Sequence, residues 1–210
     1  MTPGDFAAET GVSRETLDRL RVYAALLTKW NRSINLVGRS TLDDLWRRHM
    51  LDSAQLHPLL PPSTRTVVDL GSGAGFPGMV LAVMGVPDFH LIESDRRKCA
   101  FLREVSRETG VKATIHAERI ESMAGFAADA VVSRALADLP QLLDFASKFV
   151  DEHSILLFLR GRGVDLELTR LGKAANMRIE KFPSRTDPHA TILRLEAIFR
   201  ALRAPRTPDP

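Results

Sequence analysis

Three glycines at alternate positions, Gly71, Gly73 and Gly75, follow Asp69 and precede Phe76-Pro77-Gly78. The apolar run before them and the Pro after them predict a strand, a tight turn and the start of a helix. Backbone without Cβ atoms approaches a ligand closely and takes up positive φ, so this turn suits a nucleotide-like molecule. Gly73, Gly75 and Gly78 also satisfy GxGxxG, which keeps a nicotinamide-dependent oxidoreductase open as a reading. Asp69 separates the two. A fixed negative charge at the mouth of the turn repels a pyrophosphate, whereas S-adenosylmethionine has no phosphate and carries cationic sulfonium and ammonium groups. The expected ligand is therefore S-adenosylmethionine.

Further candidates fall where strands are expected to end. Glu93, followed by Ser94, comes after the glycine turn at about the ~20-residue interval at which an acid grips a ribose diol. Glu118, Arg119, Ile120 and Glu121 follow a third apolar run and suit an adenine edge. Arg134 and Arg160 close two more runs and place positive charge beside the site, as a nucleic-acid phosphate would require. Upstream, Asn31 and Asn35 in a polar connector are candidate substrate contacts, and Arg47, Arg48, His49, Asp52 and Ser53 form a polar helical face near the pocket or its substrate. A hydrolase built on Ser53 would need a strained, exposed turn and an oxyanion site, and neither pattern is present.

Some chemistry is excluded. No Asn/Asp-Pro-Pro-aromatic box marks an amino-methylating enzyme, and no Pro-Cys pair offers a nucleophile for a pyrimidine ring. Cys99, the single cysteine, reads as a small core residue. The six histidines lack zinc-ligand spacing, so no metal site is expected.

These residues need a scaffold. Runs at Phe89 to Glu93, Lys112 to His116, Ala130 to Ser133 and Ser154 to Arg160 read as strands, alternating with helices at Arg96 to Thr109 and Leu139 to Val150. Strands at Met177 to Phe182 and Thr191 to Phe199 close the chain without a helix between them. The expected fold is α/β, a Rossmann-like class I S-adenosylmethionine-dependent methyltransferase with a seven-stranded, mostly parallel sheet and an antiparallel partner at one edge. Helices at Val12 to Trp30 and Leu42 to Leu59 form an N-terminal extension, residues 1–62, packed on a core of residues 63–203. Residues 204–210 read as a flexible tail.

With 210 residues, 44% hydrophobic, the chain can bury a sizeable core. Its net charge of +3 leans toward a polyanionic partner. No apolar stretch approaches ~18 residues and no leader pattern opens the chain, which predicts a cytoplasmic protein without a membrane partner.

Together, Trp30-Asn31 through Asn35-Leu36, His49-Met50-Leu51-Asp52-Ser53, Asp69 to Gly78 and Ser133-Arg134-Ala135 resemble the bacterial 16S rRNA guanine-N7 methyltransferase family, also called glucose-inhibited division protein B. The resemblance spans about residues 14 to 165. It departs at Leu159-Arg160-Gly161, where the family usually has Leu-Lys-Gly. It implies methylation of a guanine N7 in the decoding-region loop of 16S rRNA, in free RNA or in the small ribosomal subunit; a monomer is expected. It also implies donor contacts at Gly71, Phe76, Ile120, Glu121 and Arg134, with Arg119 near donor and RNA. Guanine N7 has a free lone pair and no proton, so in-line attack on the methyl needs alignment and no general base. Arg134 and Arg160 are then positioning residues. A methyltransferase acting on a small molecule or protein is the alternative.

Overall fold

A computed structural model describes residues 1–171 and 177–196 of the chain. Among these residues seven strands form one sheet: β1 (Thr66–Leu70), β2 (Asp88–Ile92), β3 (Ala113–His116), β4 (Ala130–Arg134), β5 (Ile155–Arg160), β6 (Arg178–Pro183) and β7 (Thr191–Glu196). Their order is β3-β2-β1-β4-β5-β7-β6. Strands β1 to β5 run parallel, and β7 lies antiparallel between β5 and β6. The sequence extends the last strand to Phe199; residues 197–199 and the expected tail lie outside the described residues.

Among the described residues, eight α-helices accompany the sheet: α1 (Pro3–Thr10), α2 (Arg14–Trp30), α3 (Arg39–Leu42), α4 (Asp52–Ala54), α5 (Gly78–Val83), α6 (Arg96–Thr109), α7 (Leu139–Ala146) and α8 (Val164–Leu171). They cover both faces, which is why β5 is buried along its whole length and reads as a continuous apolar run. Alternate residues serve opposite layers. Val67, Leu91, Val132 and Leu157 join one core with α5 and α6, while Val68, Leu70, Val131 and Leu156 join another with α7. Among the described residues no helix is long and apolar enough to cross a membrane.

The N-terminal helices belong to the first of these cores. Ser13 caps α2 by accepting from the Thr16 N–H at 3.1 Å, and Leu17, Leu20, Tyr23 and Leu27 bury the helix's apolar stripe. Tyr23 reaches furthest into the site: its hydroxyl donates to the Ala74 carbonyl inside the glycine turn, and its ring stacks on Phe76 at 5.3 Å. Tyr23→Phe keeps the stack and strands that buried carbonyl. It should cost about 1–3 kcal/mol, read as a lower Tm, and an unchanged Tm would show that the hydroxyl does not hold the turn.

The single helix expected over Leu42 to Leu59 is replaced by a broken one. A π-helical segment spans Trp46–Leu51, α4 follows it, and a 3-10 turn at His57–Leu59 ends it. The His49 carbonyl accepts from both the Asp52 N–H and the Ser53 hydroxyl, the latter at 2.7 Å. His49 and Asp52 thereby face the end of β4.

Candidate active site

Chain crossovers leave β1 and β4 in opposite directions, which opens a crevice above the carboxyl ends of these adjacent strands. The crevice holds a cleft of about 360 Å³. Gly71 and Gly73 line it from the turn after β1, Glu93 and Ser94 from beyond β2, Arg119, Ile120 and Glu121 from beyond β3, and Arg134 from the end of β4. With Glu118 beside Arg119, nine of the residues singled out from the sequence thus meet in one place. Lys98, Leu136 and Phe145 line it too and were missed. Lys98 lay within reach of sequence reasoning, in the first turn of the helix predicted after Glu93.

The turn is shaped for close approach. Gly71 has φ +68°, and a Cβ there would lie 2.5 Å from the Leu136 side chain. Leu136 is placed by Ala135, which takes the left-handed conformation at φ 52°, costly for a residue with a Cβ. Glu93 clamps the other side: one carboxylate oxygen accepts from the Gly73 N–H at 2.9 Å and the other from the Asp95 N–H at 2.7 Å. Each oxygen keeps a further lone pair for a ribose hydroxyl.

Asp69 corrects the sequence reading. It does not stand at the mouth of the turn: it is fully buried beneath it, with Oδ2 accepting from the Gly78 N–H at 3.0 Å and Oδ1 unpartnered. Burial raises its pKa to about 7, with the Gly78 hydrogen bond acting in the opposite direction. Gly75 and Phe76 likewise do not line the cleft. A Cβ on Gly75 would meet Tyr23 and Met79, so that glycine is required by the core beneath the turn. Phe76 is sandwiched between Tyr23 and His49, the latter stacked at 4.9 Å.

Arg134 is held over this sandwich. Its guanidinium lies 5.0 Å from the Phe76 ring centroid, 3.3 Å from Asp52 Oδ2 and 3.2 Å from His49 Nδ1. The other His49 nitrogen, Nε2, is 2.8 Å from the Thr41 hydroxyl. With Arg134 donating to Nδ1, the hydrogen sits on Nε2. Burial, then Arg134 and Arg48, push the His49 pKa down to about 3, so the imidazole is neutral and both its nitrogens are engaged. Asp52 is anchored in turn by the Thr186 hydroxyl at 2.6 Å and the Gln55 amide at 3.0 Å, both on Oδ1.

The remaining candidates are placed elsewhere. Asn31 is buried and bonds only to its own connector, and Ser53 is satisfied by the His49 carbonyl. Asn35 is exposed on that connector, away from the cleft. Arg47 donates to the Arg185 carbonyl at 3.2 Å. Arg160 does not converge with Arg134 on the cleft: it is buried, forked onto Glu167 at 2.6 and 2.8 Å and donating to the Ala137 carbonyl at 2.7 Å. Its role here is to fasten α8 to the sheet. No cluster of metal-ligating side chains occurs among the described residues.

Asp69 and His49 oppose each other in stability. A carboxyl raised from 3.8 to about 7 favours folding below its unfolded pKa, and that advantage is lost as pH climbs to about 7. A histidine lowered from 6.5 to about 3 does the reverse, losing stability as pH falls through that window. The parent's pH dependence between 4 and 7 is therefore partly cancelled. Asp69→Asn should gain stability relative to the parent across this range, by several kcal/mol at about 1.4 per pKa unit. Chemical denaturation at each pH checks it, and a pH-independent difference would show that Asp69 ionises normally.

The strand order, the reversed β7 and the glycine turn at the β1–β4 switch define a class I S-adenosylmethionine-dependent methyltransferase fold. Solved structures agree on that fold: the 16S rRNA methylase RmtB aligns with TM-score 0.59 at 14% identity, over 89% of this chain and 76% of that one. Ribosomal protein L11 methylase from Lactobacillus delbrueckii subsp. bulgaricus aligns with TM-score 0.58 at 16% identity, over 69% and 76%. The sequence narrows the class. The family model for GidB, rRNA small subunit methyltransferase G, matches residues 16–189. The chain is 62% identical over 194 residues to the ribosomal RNA small subunit methyltransferase G of Rhodospirillum centenum, covering 92% of this chain and 90% of the relative. It is 54% identical to that of Paramagnetospirillum magneticum over 98% of this chain and 100% of the relative. The chain belongs to the rRNA small subunit methyltransferase G family.

Proposed function

We propose that the chain transfers the methyl group of S-adenosylmethionine to N7 of a guanine in the decoding-region loop of 16S rRNA, acting as a monomer in the cytoplasm. One observation carries the reading beyond family membership: Arg134 is fixed at the cleft by Asp52 and His49, and His49 has no nitrogen left to take a proton. The centre is built to hold a cation in place. An acceptor that needs no deprotonation suits it, and guanine N7 is such an acceptor.

S-adenosylmethionine supplies an electrophilic methyl on a sulfonium. The cleft's residues fit it: Gly71 and Gly73 leave backbone open to the donor, Glu93 offers carboxylate lone pairs to a ribose, and Ile120 and Glu121 border the space for the adenine. Arg134 orients donor and base, while Phe76 supports its guanidinium from below. A guanine leaving its stack can reach this point from the open side, and alignment of N7, methyl carbon and sulfur supplies the rate.

The acceptor class is tested by offering tritium-labelled S-adenosylmethionine with small-subunit RNA, ribosomal proteins and a small-molecule extract. Label in the RNA fraction supports the reading. Label confined to protein or small molecules overturns it.

A further inference from the structure

The connector between α2 and α3 is a rigid loop. Asn31 Oδ1 accepts from the Leu36 and Val37 N–H groups, each at 2.9 Å, and its amide donates to the Val37 carbonyl at 3.2 Å. This loop faces the first turn of α6 across a second cleft, of about 250 Å³. Arg32 and Arg39 line it from one side, and Arg97 and Lys98 from the other, against the single carboxylate of Asp95. That cationic excess matches the +3 of the entire chain, gathered into one recess.

Asp95 does not neutralise it. Its carboxylate caps α6, accepting from the Arg97 and Lys98 N–H groups, and pairs with the Arg97 guanidinium at 3.2 Å. Arg32, Arg39 and Lys98 form no ion pair and no side-chain hydrogen bond among the described residues. Like charges gathered without a partner repel, so the recess is relieved by an anion. Arginine forks match phosphate oxygens, and a phosphate contact fixes register without reading sequence. Lys98 lines the donor cleft as well, so an anion here is a neighbour of the reacting centre.

We propose that this recess grips a backbone phosphate of the RNA substrate beside the target nucleotide, an inference that rests on the RNA acceptor proposed above. Asn31 and the connector then act as the scaffold that presents Arg32 and Arg39.

The test uses the full chain carrying Arg32→Gln and Arg39→Gln, both outside the donor cleft. The KM for small-subunit RNA should rise about tenfold, and the salt dependence of RNA binding should become shallower by about 0.7–0.9 per lost contact. At saturating RNA, kcat and donor affinity should stay at parental values. The Arg32→Lys, Arg39→Lys variant should recover most of the KM. A parental KM and salt slope in the glutamine variant would overturn the proposal, as would a lysine variant equally impaired. Failure of the RNA reading itself is seen separately, as a parent protein that labels no RNA.

Discussion

Arg134→Ala should reduce the single-turnover rate of methyl transfer about 10²-fold or more at saturating donor and RNA, because a misplacement of ~1 Å at the reacting centre costs that much. The side chain is 21% exposed and makes its contacts with Asp52, His49 and the Phe76 face from a single position. Asp52 keeps its hydrogen bonds to Thr186 and Gln55 when the guanidinium is removed, so the local fold survives and the loss falls on catalysis. Arg134→Lys keeps the charge and loses the fork that spans Asp52 and His49, and it should lie between parent and alanine variant. A rate unchanged in the alanine variant would remove Arg134 from the positioning role.

Gly75→Ala should be the most damaging single-methyl change in the glycine turn. Gly75 has φ +92°, and a Cβ there would lie 2.6 Å from the Tyr23 hydroxyl, 2.8 Å from Met79 Cβ and 3.0 Å from a Leu102 methyl. Tyr23 is pinned by its bond to Ala74 and its stack on Phe76, and Met79 Cβ belongs to α5, so neither neighbour can swing aside. Overpacking and backbone strain each cost about 1–3 kcal/mol, and together they remove a large share of a domain's stability. The expected readings are a steep fall in Tm and loss of donor binding. Gly73→Ala is the control: at φ +57° it bears a similar backbone strain, but its nearest neighbour, the Gly71 carbonyl, is 3.8 Å from the added Cβ. Equal destabilisation by both variants would show that contact under Gly75 is not what matters.

The turn itself was legible in the sequence because closely spaced glycines after an apolar run have few other uses. Strand ends were legible for a related reason: a parallel sheet buried on both faces writes its strands as apolar runs, so the polar residue that closes each run marks the crevice. Glu93, Arg119 and Arg134 were found that way. What the sequence did not reveal depends on partners distant in the chain. Arg160 closes a strand as Arg134 does, yet its outcome is set by Glu167 on α8, a helix absent from the sequence reading because Val164, Leu168 and Leu171 make a thin apolar stripe and Leu166 faces solvent. Asp69 has the residue type of a ligand-facing acid, but the N–H of Gly78 folds back over it and closes it beneath the turn. The π-helical winding at Trp46–Leu51 has no apolar signature that separates it from an ordinary helix, and it decides that His49 meets both Phe76 and Arg134. Asn31 was marked as a candidate substrate contact; its bonds instead fix the loop that carries Arg32 and Arg39.

The proposed reaction delivers a methyl group from this cleft to an unprotonated ring nitrogen of guanine. It is tested by incubating the protein with labelled S-adenosylmethionine and small-subunit RNA that lacks the modification, then digesting the RNA to nucleosides and separating them. Label is expected in 7-methylguanosine alone. Label in a base-methylated adenosine or cytidine, or in a guanosine methylated on an exocyclic amine, would contradict it.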